Sequence, residues 1–110
     1  MAQSFVSRLV DLTIANGATA SNAISGFKDA RAIGIFAPAA LLSSLTYVVQ
    51  VEPTPTGTPF RTLQSGGADI SIAASKGIII TDNAFNRIRV LASAAVTAAK
   101  TFQSTKRWEG

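Results

Sequence analysis

Short runs that alternate apolar and polar residues, each cut off by a turn-forming residue, dominate this chain and leave it little to fold into besides antiparallel β-structure. About nine strand-sized segments follow one another in 110 residues. Val10-Asp11-Leu12-Thr13-Ile14 alternates with period two and stops at Asn16-Gly17, which predicts a half-buried strand with Val10, Leu12 and Ile14 inward. Leu45 to Val51 is the clearest long strand, with Leu45, Tyr47, Val49 and Val51 on one face and Thr46, Val48 and Gln50 on the other. Asn86-Arg87-Ile88-Arg89-Val90-Leu91 alternates as strictly and sets both arginines on one outer face.

The remaining segments are less regular. Ala18 to Phe27, rich in Ser, Thr and Ala, reads as a weak strand anchored by Ile24 and Phe27, with Gly26 as a candidate bulge. Ile33-Gly34-Ile35-Phe36 is apolar on both faces, which predicts a strand in the middle of a sheet with both sides covered, ended by Pro38. Glu52 to Pro59 is a stiff extended loop, because Pro53, Pro55 and Pro59 fix their own φ and bias their predecessors away from helix. Phe60 to Leu63 is a short strand closed by Ser65-Gly66-Gly67; Ala68 to Ala73 alternates again, and Lys76-Gly77 leads into the branched run Ile78-Ile79-Ile80-Thr81. The alanines of Leu91 to Phe102 favour helix by propensity, but Ser93 and Val96-Thr97 argue for strand, loop and strand. The last strand then starts at Lys100, with Lys106 to Gly110 as a tail.

A chain of this length buries about 65% of its unfolded surface, enough for one core without staples. The expected architecture is therefore a single all-β domain over residues 1–110, an antiparallel two-sheet β-sandwich of jelly-roll type with eight to nine short strands. Residues 1–9 and 106–110 are expected as contact arms. The start of the chain lacks the basic and continuous apolar regions of a signal peptide, so secretion by that route is not expected. The most apolar stretch, Ile33 to Leu45, falls well short of the ~20 residues needed to span a bilayer.

Composition narrows the chemistry. The chain has no histidine and no cysteine, which removes the commonest general base, the commonest metal ligands and any disulfide. Its carboxylates (Asp11, Asp29, Glu52, Asp69, Asp82 and Glu109) are dispersed one per segment; pairing could bring Asp11 to Asp69, but solvated outer-face acids are expected. Neither a Gly-x-Ser-x-Gly elbow nor a phosphate-binding glycine loop occurs, and Asp82-Asn83 lacks the spaced acidic loop of a calcium site. No enzyme activity, metal or cofactor is expected. Ten Lys and Arg against six Asp and Glu give a net charge of +4, but the cations are scattered, unlike a nucleic-acid module. Only 15% of residues are charged, a sparse surface of the kind that a partner covers.

Two places suggest contacts. Arg87 and Arg89 on one strand face suit an acidic protein surface or a phosphate backbone, or else a solvated face that discourages edge pairing. Trp108, beside Lys106 and Arg107, is either a lid on its own core or an anchor in a neighbour.

Three segments in order, Arg31-Ala32-Ile33-Gly34-Ile35-Phe36-Ala37-Pro38-Ala39-Ala40, Leu45-Thr46-Tyr47-Val48-Val49-Gln50-Val51 and Asn86-Arg87-Ile88-Arg89-Val90, resemble a pattern of small phage structural proteins. The pattern looks most like the jelly-roll decoration, or cement, proteins of tailed bacteriophages, the epsilon15-like podophage type included. It covers roughly Asp29 to Phe102; where relatives carry an Asp-Gly-Gly turn and a tryptophan, this chain has its Pro-Thr loop and Phe60. The resemblance implies a non-enzymatic virion protein on the outer capsid surface that clamps adjacent major capsid protein subunits against internal DNA pressure. It also implies self-association as a dimer or trimer, with no membrane and no direct nucleic-acid partner. The contact residues expected on this basis are Phe5, Arg8, Pro53, Pro55, Pro59, Arg87, Arg89, Lys106, Arg107 and Trp108. A phage neck or tail component and a carbohydrate- or receptor-binding sandwich are the alternatives.

Overall fold

The computed structural model describes residues 4–25, 30–41, 44–53, 59–81 and 85–109, with 4, 5, 108 and 109 as backbone only. In chain order the strands are β1 (Ser4–Arg8), β2 (Leu12–Ile14), β3 (Ala32–Phe36), β4 (Tyr47–Glu52), β5 (Arg61–Thr62), β6 (Gln64–Ser65), β7 (Ala68–Asp69), β8 (Gly77–Ile80), β9 (Arg87–Ala92) and β10 (Lys100–Glu109). No helix occurs among the described residues, and every strand pair is antiparallel. The chain is an all-β sandwich, as its alternation predicts.

The first sheet runs β1-β10-β3-β8, with β2 also on β10; the second runs β5-β4-β9. The serine- and alanine-rich stretch before residue 26 lies beside β9 but makes only isolated bridges, Ala20 to Leu91 and Ile24 to Ile88. Ser21 shows why: its own Oγ accepts the Val90 N–H at 2.9 Å, so a side chain competes for a ladder position. Of its expected anchors Ile24 is buried, while Phe27 and Gly26 lie outside the described residues. Residues 93–99 form a loop, so the alanines there do not make a helix. Between β6 and β7, Gly66 and Gly67 both take positive φ (62° and 83°), the geometry a two-residue hairpin turn needs.

Alternation places Leu12, Ile14, Ile33, Ile35 and Phe102 of the first sheet against Tyr47, Val49, Ile88 and Val90 of the second. The Tyr47 and Phe102 rings meet across the sheets at 5.9 Å, tilted by 51°.

Val10 is the exception to the expected inward set. It is 69% exposed. The register gives the reason: Arg8 faces Thr105 and Leu12 faces Phe102, so three residues between them oppose two on β10. This bulge reverses the alternation, and Leu9 packs on the core instead.

The terminal segments also differ from expectation. Residues of the expected arms are strand-paired: β1 runs along the far half of β10 from Ser4 opposite Glu109 to Arg8 opposite Thr105. A ten-residue β10 with neighbours on both sides is therefore the spine of the first sheet, and the expected tail from Lys106 to Glu109 belongs to it. The reason is non-local: an extended tail becomes a strand when another segment supplies its ladder partners.

β3 is laterally central, as expected, but is covered on one side only. Ile33 and Ile35 are fully buried inward, whereas Phe36 is 39% exposed on the outer face. The second sheet lies on the inner side, and no described residue crosses the outer one.

Candidate functional site

The expected contact residues separate into two places. Pairing of β1 with β10 gathers the first set, with Phe5 opposite Trp108, Val6 opposite Arg107, Ser7 opposite Lys106 and Arg8 opposite Thr105. Arg107 is exposed and lines the outer face, while Lys106 is half-buried. Arg8 is committed locally, its Nη2 donating to Asp11 Oδ1 at 3.0 Å and Oδ2 at 3.1 Å. Asp69 accepts from Gln64 Nε2 at 2.8 Å, so Asp11 and Asp69 serve different partners.

The second set lies on the outer face of the second sheet. Cross-strand pairing puts Glu52 opposite Arg87 and Gln50 opposite Arg89. Arg87 donates from Nε to Glu52 Oε1 at 2.9 Å and from Nη2 to Oε2 at 2.7 Å, and Asn86 Nδ2 adds a bond to Oε1 at 2.7 Å. Glu52 is thus an almost completely covered carboxylate (1% exposed) with both oxygens engaged. The hydrogen bonds from Arg87 and then Asn86 hold its pKa below the usual carboxylate value against desolvation, and Arg87 is held correspondingly higher. Arg89 donates from Nε and Nη2 to Gln50 Oε1 at 3.0 and 2.8 Å, and its guanidinium lies 4.1 Å from the Phe60 ring centroid. Burial, and then the neighbouring Arg87, lower its pKa. The two arginines share an outer face, as expected. They form a half-buried, hydrogen-bonded layer over β4 and β9. Pro53 and Pro59 are exposed at the edges of the loop beside this layer, and Pro55 lies outside the described residues.

A third feature was not among the expected contacts. On the outer face of the first sheet a groove of about 450 Å³ runs across all four strands, lined by Val6, Ala32, Gly34, Phe36, Ile79, Thr81, Thr105 and Arg107. Register puts Gly34 beside both Thr105 and Ile79, and Phe36 beside Gly77. The Phe36 ring lies over the two glycines: a Cβ on Gly34 would sit 2.9 Å from the ring and 2.8 Å from Thr105 Oγ1, and one on Gly77 would collide with the ring edge at Cδ1 and Cε1. Glycine is required here by close approach of a ring, and the outcome is a smooth apolar floor. Ile79 (63% exposed) and Val6 (62%) stand proud of it. The available signal was the run of apolar residues on both faces of β3 and β8, which belongs to strands covered twice.

Among the described residues no group of three or more acidic side chains gathers where a metal could be held. Comparison with protein-family models, characterised proteins and solved structures returns no match.

Proposed function

We propose that this protein is a non-enzymatic structural module of a phage virion. In this reading it binds the outer capsid surface and cements adjacent major capsid protein subunits, both as a coat and through self-association. The observation that carries the reading is the bare outer face of the first sheet: β3 and β8 have the composition of twice-covered strands, and the described residues of this chain supply one cover. An assembly protein leaves such a face for its neighbours.

The strand order supports the jelly-roll form of the proposal. β1/β2, β10, β3 and β8 make one sheet and β5, β4 and β9 the other, with the stretch before residue 26 bridged to β9 at Ala20 and Ile24. The chain crosses between the sheets at most connections, as the jelly-roll reading requires. The second sheet's Arg87–Glu52 and Arg89–Gln50 layer supports a rigid body. Cementing needs only area and repetition: an interface of roughly 1,600 Å² per copy, repeated over a shell, turns modest affinity into resistance to pressure.

The test is the copy number of this protein in purified virions of the encoding phage, by quantitative mass spectrometry against the major capsid protein. A ratio near one per capsid subunit, or a simple fraction, is the expected result. About six to a few dozen copies per particle would move the protein to the neck or tail, and none would remove the virion role.

A further inference from the structure

We propose that the bare face over β3 and β8 seats a second copy of this chain, sheet face on sheet face, about a two-fold axis passing close to Gly34 and Ile79. The inference deepens the structural-module reading by naming the surface through which copies join.

Shape is the first argument. Two residues stand proud of the face, Val6 on the edge strand β1 and Ile79 on β8, and Ile79 lies immediately beside a floor of small or flattened residues, Ala32, Gly34 and the Phe36 ring. Gly34 and Ile79 are register partners, so a two-fold axis near them sets each copy's Ile79 over the other's Ala32–Gly34 floor. A self-complementary knob and hollow around one point is what an isologous contact requires.

Charge supports the same placement. Among the described residues Arg107 is the only charged one lining the groove; it stands on β10 beside Ala32, one strand outside the β3–β8 pair, and Arg8 lies on β1, one strand further out. With strands ~4.8 Å apart, an axis between β3 and β8 leaves the two Arg107 residues more than ~14 Å apart, beyond the ~8 Å screening length at physiological salt. Like charges are therefore not brought together.

Area sets the strength. Four strands and three outward rows span about 19 by 20 Å, so a pair buries on the order of 800–1,000 Å² in total, at the low end of specific interfaces. A weak dimer follows, with Kd in the micromolar range or above, populated where copies are crowded on a surface.

Sedimentation velocity on the full chain from about 1 µM to about 1 mM tests this. The weight-average mass is expected to rise towards twice the protomer mass. Ile79→Asp should keep it at the protomer value with an unchanged circular dichroism spectrum, while Arg61→Glu, on the opposite sheet, should leave the dimer intact. Because the chain has no cysteine, Ile79→Cys gives a single thiol that a short bismaleimide should couple to its twin, and Thr97→Cys should not couple.

Monomer at every concentration together with uncoupled Ile79→Cys, free and on particles, would overturn the inference. So would loss of capsid occupancy in Ile79→Asp when the parent is monomeric, which would give the face to the capsid. The two readings fail separately: a dimer absent from virions sinks the virion role alone, and a shell-wide coat with no Ile79 contact sinks the dimer alone.

Discussion

Tyr47 places a large ring in the core, 2% exposed, with a hydroxyl that finds no hydrogen-bond partner among the described residues. A buried unpartnered hydroxyl costs about 1–3 kcal/mol, so Tyr47→Phe is expected to stabilise the fold by about 1 kcal/mol, read as a higher urea midpoint at unchanged slope. Glu52 behaves in the opposite way, because both its oxygens are engaged by Arg87 and Asn86. Its folded pKa lies below the ordinary value of 4.5. Between the two values the unfolded chain binds more protons, so the contribution of Glu52 is complete above pH 4.5 and is lost as pH falls through the folded pKa. Glu52→Gln should therefore destabilise the protein at neutral pH and flatten the acid limb of a stability–pH curve. An acid limb as steep as the parent's would remove Glu52 from that role.

At the scale of elements, the pairing of Phe36 with two glycines makes a sharp case. Gly77→Ala drives a methyl into the Phe36 ring and should cost about 1–3 kcal/mol. Adding Phe36→Ala should return part of that loss, a coupling that a double-mutant cycle over chemical denaturation would measure. The long β10 carries a second prediction. Removing residues 106–110 strips β1 of most of its ladder and takes Lys106 and Arg107 from Ile33 and Ala32. The Tm should then fall by more than about 5 °C. A truncated protein with the parent's melting curve would return this segment to the status of a loose arm.

Across the whole molecule the two outer faces contrast. One is a hydrogen-bonded arginine layer, Arg87 on Glu52 and Arg89 on Gln50 under Phe60; the other is an apolar surface whose groove is lined, among the described residues, by a single cation, Arg107. This division suits a body that stays rigid on one side while another protein covers the other. If the protein cements a shell, particles stripped of it should release DNA at a lower temperature than decorated ones, and re-addition of the purified protein should restore the difference. Equal release temperatures would remove the stabilising role and leave simple attachment.

The amino-acid sequence by itself determined the class of fold, because period-two alternation is local: Leu12 and Ile14, then Tyr47, Val49 and Val51, then Ile88 and Val90 are inward wherever the strands end up. It also placed Arg87 and Arg89 on one outer face, since that depends only on their spacing. Their engagement by Glu52 and Gln50 depends on which strand lies alongside, and β4 and β9 are far apart in the chain. Tertiary structure decided the rest for the same reason. The bulge that turns Val10 outward, the strand made from the two chain ends and the packing of Phe36 over Gly34 and Gly77 each arise from a partner strand's register. A period of two carries no information about which segment will be the partner.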